Sequence, residues 1–74
     1  RDIIFQVSAN NDISLDGRRV DIRSVPANVE RLRTSNRGAK VIISTDSRAQ
    51  AKTYIRIADQ AWAAGVDDIV LTTR

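Results

Sequence analysis

A chain of 74 residues holds one domain with a small core, because a chain this short buries only about 60% of the surface that its unfolded form exposes. Hydrophobic residues make up 42% and charged residues 28%, the balance of an ordinary globule rather than a disordered segment, and the absence of Cys and His excludes disulfides, thiolate metal sites, Cys nucleophiles and Ser-His catalysis. The net charge of +3 raises the question of a nucleic-acid partner, but the basic residues are dispersed and only Phe5, Tyr54 and Trp62 are aromatic, so the reading is a mildly basic, Arg-rich surface with no nucleic acid bound.

The first predicted strand is Ile3 to Ala9, with Ile3, Phe5, Val7 and Ala9 on one face and Ile4, Gln6 and Ser8 on the other. Asn10-Asn11-Asp12 is a turn cluster, and the alternation of Ile13-Ser14-Leu15 predicts a second strand pairing back antiparallel. Asp16-Gly17 suits a tight turn, since Gly tolerates positive φ. Arg18 to Ile22 reads as a short polar strand or an extended approach to a helix. That helix has Ser24 as its expected N-cap and Pro26 in its first turn, where a missing N–H costs nothing. Val25, Val29 and Leu32 give it a narrow apolar stripe, and Arg37 and Gly38 are expected to end it.

Val41 to Thr45 is a short β-branched run, as expected for a central strand. Asp46-Ser47 is expected to cap the second helix, whose predicted apolar stripe is Ala51, Ile55, Ala58 and Trp62, flanked by Tyr54 and Ala61. Trp62 and Tyr54 at this spacing read as core rather than as a binding hot spot. Gly65 is the expected C-cap, and Ile69 to Thr73 the last strand. The order is ββαβαβ, and the two strands joined through the second helix should be parallel. The expected fold is α+β: a two-layer domain over residues 1–74, with a mixed sheet and both helices packed on one face. Ile4, Ile42 and Val70 then fall on the opposite face, which two helices on one side leave uncovered.

Few residues are candidates for chemistry. Asp46 ends a strand that feeds a helix, a position that often carries function in α/β units. As a phospho-acceptor or metal ligand it would need companion acids, and the remaining acids do not converge on it, so a structural cap worth about 1 kcal/mol is the reading. Asp67-Asp68 reads as a solvated turn, since two adjacent carboxylates offer a hard cation too few oxygens. Arg48, Lys52 and Arg56 fall at i, i+4 and i+8, where like charges cost a few tenths of a kcal/mol per pair. A carboxylate-rich partner would offset that cost, while Asp59 beside Arg56 offers an ordinary solvated face as the alternative. Arg31, Arg33 and Arg37 complement the dipole of the first helix. With no phosphate-cradling Gly loop and no paired acids, an enzyme is not expected, nor a cofactor or metal.

Two phrases carry a family resemblance. ISLDGRRV, residues 13–20, follows the polar turn and looks like the opening hairpin of the periplasmic domain of the ExbD/TolR family. VIISTD, the helix bearing Tyr54, the exit Ala64-Gly65 and the strand Ile69-Val70-Leu71 resemble its later β-α-β unit, so the match covers nearly the whole chain. Asp46 resembles the ExbD branch more than the TolR branch. Arg48 to Thr53 departs from the family, which more often has a β-branched residue and an aromatic there.

The resemblance implies a non-catalytic, dimeric periplasmic domain of a single-pass inner-membrane protein, working with an ExbB/TolQ-like membrane subunit in a motor driven by the proton gradient. It implies coupling to a TonB-like energy transducer for outer-membrane transport or, in the TolR-like alternative, binding to peptidoglycan. The chain begins Arg1-Asp2-Ile3 and no apolar run approaches the roughly 20 residues that span a bilayer, so the expected transmembrane helix lies outside this fragment. Partner contacts are expected at Ile69, Val70, Leu71 and Thr72 through strand addition, and at Arg48, Lys52 and Arg56 through charge. The docking edge is expected to be either the last strand or the first.

Overall fold

The structure, a computed structural model, describes residues 1–74. Five strands form one sheet: β1 (Ile3–Val7), β2 (Ile13–Leu15), β3 (Arg18–Val20), β4 (Val41–Thr45) and β5 (Ile69–Thr73). Helix α1 spans Val25–Ser35 and helix α2 spans Ala51–Ala63. The spatial order is β3-β2-β1-β4-β5. β1 pairs antiparallel with β2 and parallel with β4, and β5 runs parallel to β4. The α+β, mixed-sheet expectation is met, with one strand more: Arg18–Val20 pairs with β2, so the order is βββαβαβ.

The hairpin between β2 and β3 follows from two residues. Asp16 and Gly17 have φ of 53° and 77°, the left-handed pair whose twist matches antiparallel strands. Strand alternation then sets the two faces of the sheet. Ile3, Phe5, Val7, Ile13, Leu15, Val41 and Ile43 are buried on the helix side. Val25 and Val29 of α1, Ile57 and Ala61 of α2, and Val66 after it close the core from above.

Several local expectations are corrected. Ser24 makes no side-chain cap; the chain enters α1 through a single 3-10 turn over Ile22–Ser24, and Asp21 caps that turn by accepting from the Arg23 N–H at 2.8 Å. A carboxylate two residues ahead of a free N–H does the capping before the helix begins. Helix α1 ends at Ser35 rather than at Arg37 and Gly38. Asn36 turns the chain out with φ −152°, and its Nδ2 donates to the Arg1 carbonyl at 2.7 Å, tying the helix end to the approach to β1. Gly65 does end α2, with φ 97°. The Gly65 N–H bonds the Trp62 carbonyl and the Val66 N–H bonds the Ala61 carbonyl, the double closure of a left-handed helix exit.

The buried face of α2 differs from the predicted stripe. Thr53, Ile57 and Ala61 are buried, with Tyr54 and Ala58 half-buried beside them, while Ala51, Ile55 and Trp62 face outward. The helix is rotated by about one residue, roughly 100°, from the stripe that hydrophobicity suggested. Thr53 explains the miss: its hydroxyl donates to Asn11 Oδ1 at 3.2 Å, so a polar side chain is satisfied inside. Tyr54, expected in the core, is half-buried against it, whereas Trp62, expected there too, is 67% exposed and is no part of the core.

Candidate partner-docking site

β5 is an edge strand, and its register shows what that edge offers. The Val41 N–H donates to the Asp68 carbonyl at 3.0 Å and the Arg74 N–H donates to the Thr45 carbonyl at 2.9 Å. Bonds in a parallel ladder alternate along the strand, so Val70 and Thr72 face β4. The N–H and C=O groups of Ile69, Leu71 and Thr73 therefore point away from the sheet, an open template for a further strand. β1 lies between β2 and β4, so the expectation that the first strand could be the docking edge is overturned. The other edge, β3, has three residues and begins Arg18-Arg19, the short and charged kind of edge that resists pairing.

An apolar groove of about 410 Å³ runs beside β5 on the helix side of the sheet. Tyr54, Ile55 and Trp62 of α2 form one wall, and Ile69 and Leu71 of β5 lie across from them. Ile55 is 48% and Leu71 44% exposed. The groove exists because α2 sits toward β4 and leaves the helix side of β5 open. Spacing alone assigned Ile55 and Trp62 to the core; the edge position of β5 is what leaves them at the surface.

The basic stripe is divided. Arg48 lies before α2, and its guanidinium binds Asp46 through two contacts of 3.1 Å. The Asp46 carboxylate also accepts from the Arg48 N–H at 2.9 Å. These bonds to Arg48 hold the Asp46 carboxyl at a pKa of about 2, below its ordinary 3.8. Asp46 thus caps its own turn, and Gln50 occupies the cap position of α2. The reason is a five-residue connection, residues 46–50, between the end of β4 and the first helical residue. Lys52 and Arg56 lie on α2 and form no ion pair. Asp59 makes no direct ion pair with Arg56; the ion pairs of the chain are Arg19–Asp12, Arg23–Asp21 and Arg48–Asp46.

Two residues carry contacts that spacing did not suggest. Arg33, expected to serve the dipole of its own helix, donates from Nη1 to the Ala64 carbonyl at 2.7 Å and so closes the end of α2 instead. Arg74 donates from Nη2 to the Val7 carbonyl at 3.0 Å and from Nε to Ser44 Oγ at 3.0 Å, tying β5 to β1 and β4. A lone Arg at either position has no local pattern that could have announced it.

On the far face of the sheet Ile4, Ile42 and Val70 lie in register across three adjacent strands. Ile4 is 45% and Val70 36% exposed, so this face is uncovered in the chain, as the alternation predicted.

A family model described as Biopolymer transport protein ExbD/TolR matches residues 1–74. The chain belongs to the ExbD/TolR family. It is 36% identical over 69 residues to the biopolymer transport protein exbD2 of Vibrio cholerae, an alignment covering 93% of this chain and 52% of that relative. This ExbD/TolR chain therefore spans about half the length of the relative it matches. The family is one of biopolymer transport proteins. The resemblance carried by ISLDGRRV and by the VIISTD unit is borne out, and the fold fits a C-terminal periplasmic domain. No helix is long and apolar enough to cross a membrane.

Proposed function

We propose that this chain is the periplasmic interaction domain of an ExbD-type subunit of an inner-membrane motor driven by the proton gradient, and that it grips an extended segment of a TonB-like energy transducer by strand addition along β5. The observation that carries this reading is the open backbone of Ile69, Leu71 and Thr73 beside an apolar groove. A strand laid against β5 would sit about 4.8 Å away, bond those groups, and send alternate side chains toward Ile55, Leu71 and Trp62. Backbone bonds would supply much of the affinity, and the groove would select apolar residues at every second position. Val70 and Thr72 hold the register from inside the sheet, whereas Ile69 and Leu71 meet the partner.

In this reading the domain works as a dimer in the periplasm. The membrane subunit, of ExbB/TolQ type, engages the part of the full-length protein that this chain does not span. Motion in the motor changes what the domain grips, and no bond-breaking chemistry is required of it.

The test is a backbone amide NMR titration of the labelled chain with the periplasmic linker peptide of a TonB-like transducer. Shifts confined to residues 69–73 and to Tyr54, Ile55, Ala58 and Trp62 are expected, and Leu71→Pro should abolish them. No shifts at millimolar peptide would overturn the docking and move the assignment to peptidoglycan binding of the TolR type.

A further inference from the structure

On the opposite side of α2 from the β5 groove lies a polar cleft of about 490 Å³, bounded by the β2–β3 hairpin, the Ile22–Ser24 turn and the first two turns of α2. Its size falls within the roughly 300–1,000 Å³ of small-ligand sites. Lys52 and Arg56 stand on one wall, Arg19 on another, and Val20 and Ile22 supply an apolar floor.

The charges in this cleft do not cancel. Asp12 is held by Arg19 at 2.7 Å. Asp21 is held by Arg23 through two contacts of 3.1 Å, bonds that keep its carboxyl at a pKa of about 2. Both acids are therefore already engaged, while Lys52 and Arg56, one turn apart on α2, have no carboxylate partner. Like charges at this spacing repel, and although Arg56 acts on Asp21 through space, the hydrogen bonds of that carboxylate go to Arg23.

The cleft is also braced. Asn11 adopts φ 66°, a conformation that few residues besides Gly accept without cost. From there its Oδ1 accepts from the Gln50 N–H at 2.7 Å and from the Thr53 hydroxyl at 3.2 Å. The turn after β1 is thus pinned to the start of α2, which carries Lys52 and Arg56.

We infer that this cleft binds the carboxylate side chains of an acidic peptide segment, with a glutamate laying its aliphatic stem on Val20 and Ile22 and its carboxylate between Lys52 and Arg56. A glutamate fits better than a bare anion, because it covers the apolar floor as well as meeting the two cations. The inference goes beyond the strand-addition reading and does not rest on it, since α2 separates the two surfaces.

The experiment titrates the labelled 74-residue chain with acetyl-Glu-Glu-Glu-amide and, in parallel, with acetyl-Gln-Gln-Gln-amide. The glutamate peptide should shift the amides of Asn11, Val20, Thr53 and Arg56, leave residues 69–73 unmoved, and bind more weakly as sodium chloride is added. Lys52→Gln with Arg56→Gln, both exposed and free of ion pairs, should weaken binding about tenfold. Arg31→Gln with Arg37→Gln removes the same charge from α1 and the turn after it and should leave binding unchanged. Equal shifts from the glutamine peptide, equal weakening by both double variants, or no shift at millimolar peptide would each overturn the site. Because residues 69–73 report separately, failure here is distinguishable from failure of docking at β5.

Discussion

At Gly65 one atom decides whether the end of α2 can close. Its φ of 97° lies in the region that side chains avoid, and a Cβ placed there would come 2.6 Å from Arg33 Nη1. Gly65→Ala should therefore cost about 1–2 kcal/mol, read by urea denaturation. Part of that cost is the Arg33 bond to the Ala64 carbonyl, so Gly65→Ala should cost less when Arg33→Gln has already removed that bond. Gly65 and the Asp16-Gly17 turn were legible because positive φ is a requirement of the local backbone. The partner of Arg33 was not legible, because it lies 31 residues away. Asp46 and Asp21 make a second prediction. Each has a folded pKa of about 2 against an ordinary 3.8, so each contributes stability that is present above about pH 4 and is lost as pH falls toward 2. Carboxyl NMR titration should give midpoints near 2 for both, and Asp46→Asn with Asp21→Asn should flatten the acid limb of the stability curve. Midpoints near 3.8 would show that the Arg23 and Arg48 contacts do not persist in solution.

Helix α2 and strand β5 show what an element's pattern can and cannot say. The helix has apolar residues on two adjoining faces, and hydrophobicity alone favours the one bearing Ile55 and Trp62. The sheet favours the other, because Ile57 and Ala61 meet the core while β5 lies at the edge. Trp62→Ala should change stability by no more than about 0.5 kcal/mol, whereas Ile57→Ala should cost about 2–5 kcal/mol. Thermal denaturation of the two variants would separate them; equal losses would place Trp62 in the core after all. For β5 the alternation of backbone bonds makes neighbouring prolines unequal. Val70→Pro removes an N–H that faces β4 and should destabilise the sheet, while Leu71→Pro removes one that faces solvent and should leave the fold standing. Amide exchange across β4 is the readout, with accelerated exchange expected for Val70→Pro only.

As a whole the molecule has little core to spare. Thirteen hydrophobic residues are buried, and removing most of one side chain from the centre is comparable with the total stability of a domain this size. Ile43→Ala, at a residue 1% exposed, should cost about 2–5 kcal/mol and populate the unfolded state measurably at room temperature, as circular dichroism in urea would show. The same scarcity of helices leaves the Ile4–Ile42–Val70 row uncovered on the far face. Both apolar surfaces, that row and the β5 groove, are consequences of a five-stranded sheet served by two helices.

The amino-acid order alone settled the features that depend on neighbours along the chain: the period-two faces of β1 and β4, the Asp16-Gly17 turn, the Gly65 exit, the β-α-β unit and the family phrases built on them. Backbone sterics and side-chain alternation act over a few residues, so they can be read over a few residues. Tertiary structure decided which strand is the edge, which face of α2 is inward, and which cations are left without acids. These depend on groups far apart in sequence: Asn11 satisfying Thr53 from 42 residues away, Arg33 closing α2, and β1 inserted between β2 and β4. No window along the chain contains both partners, and the open edge came from strand order, which only the assembled sheet fixes.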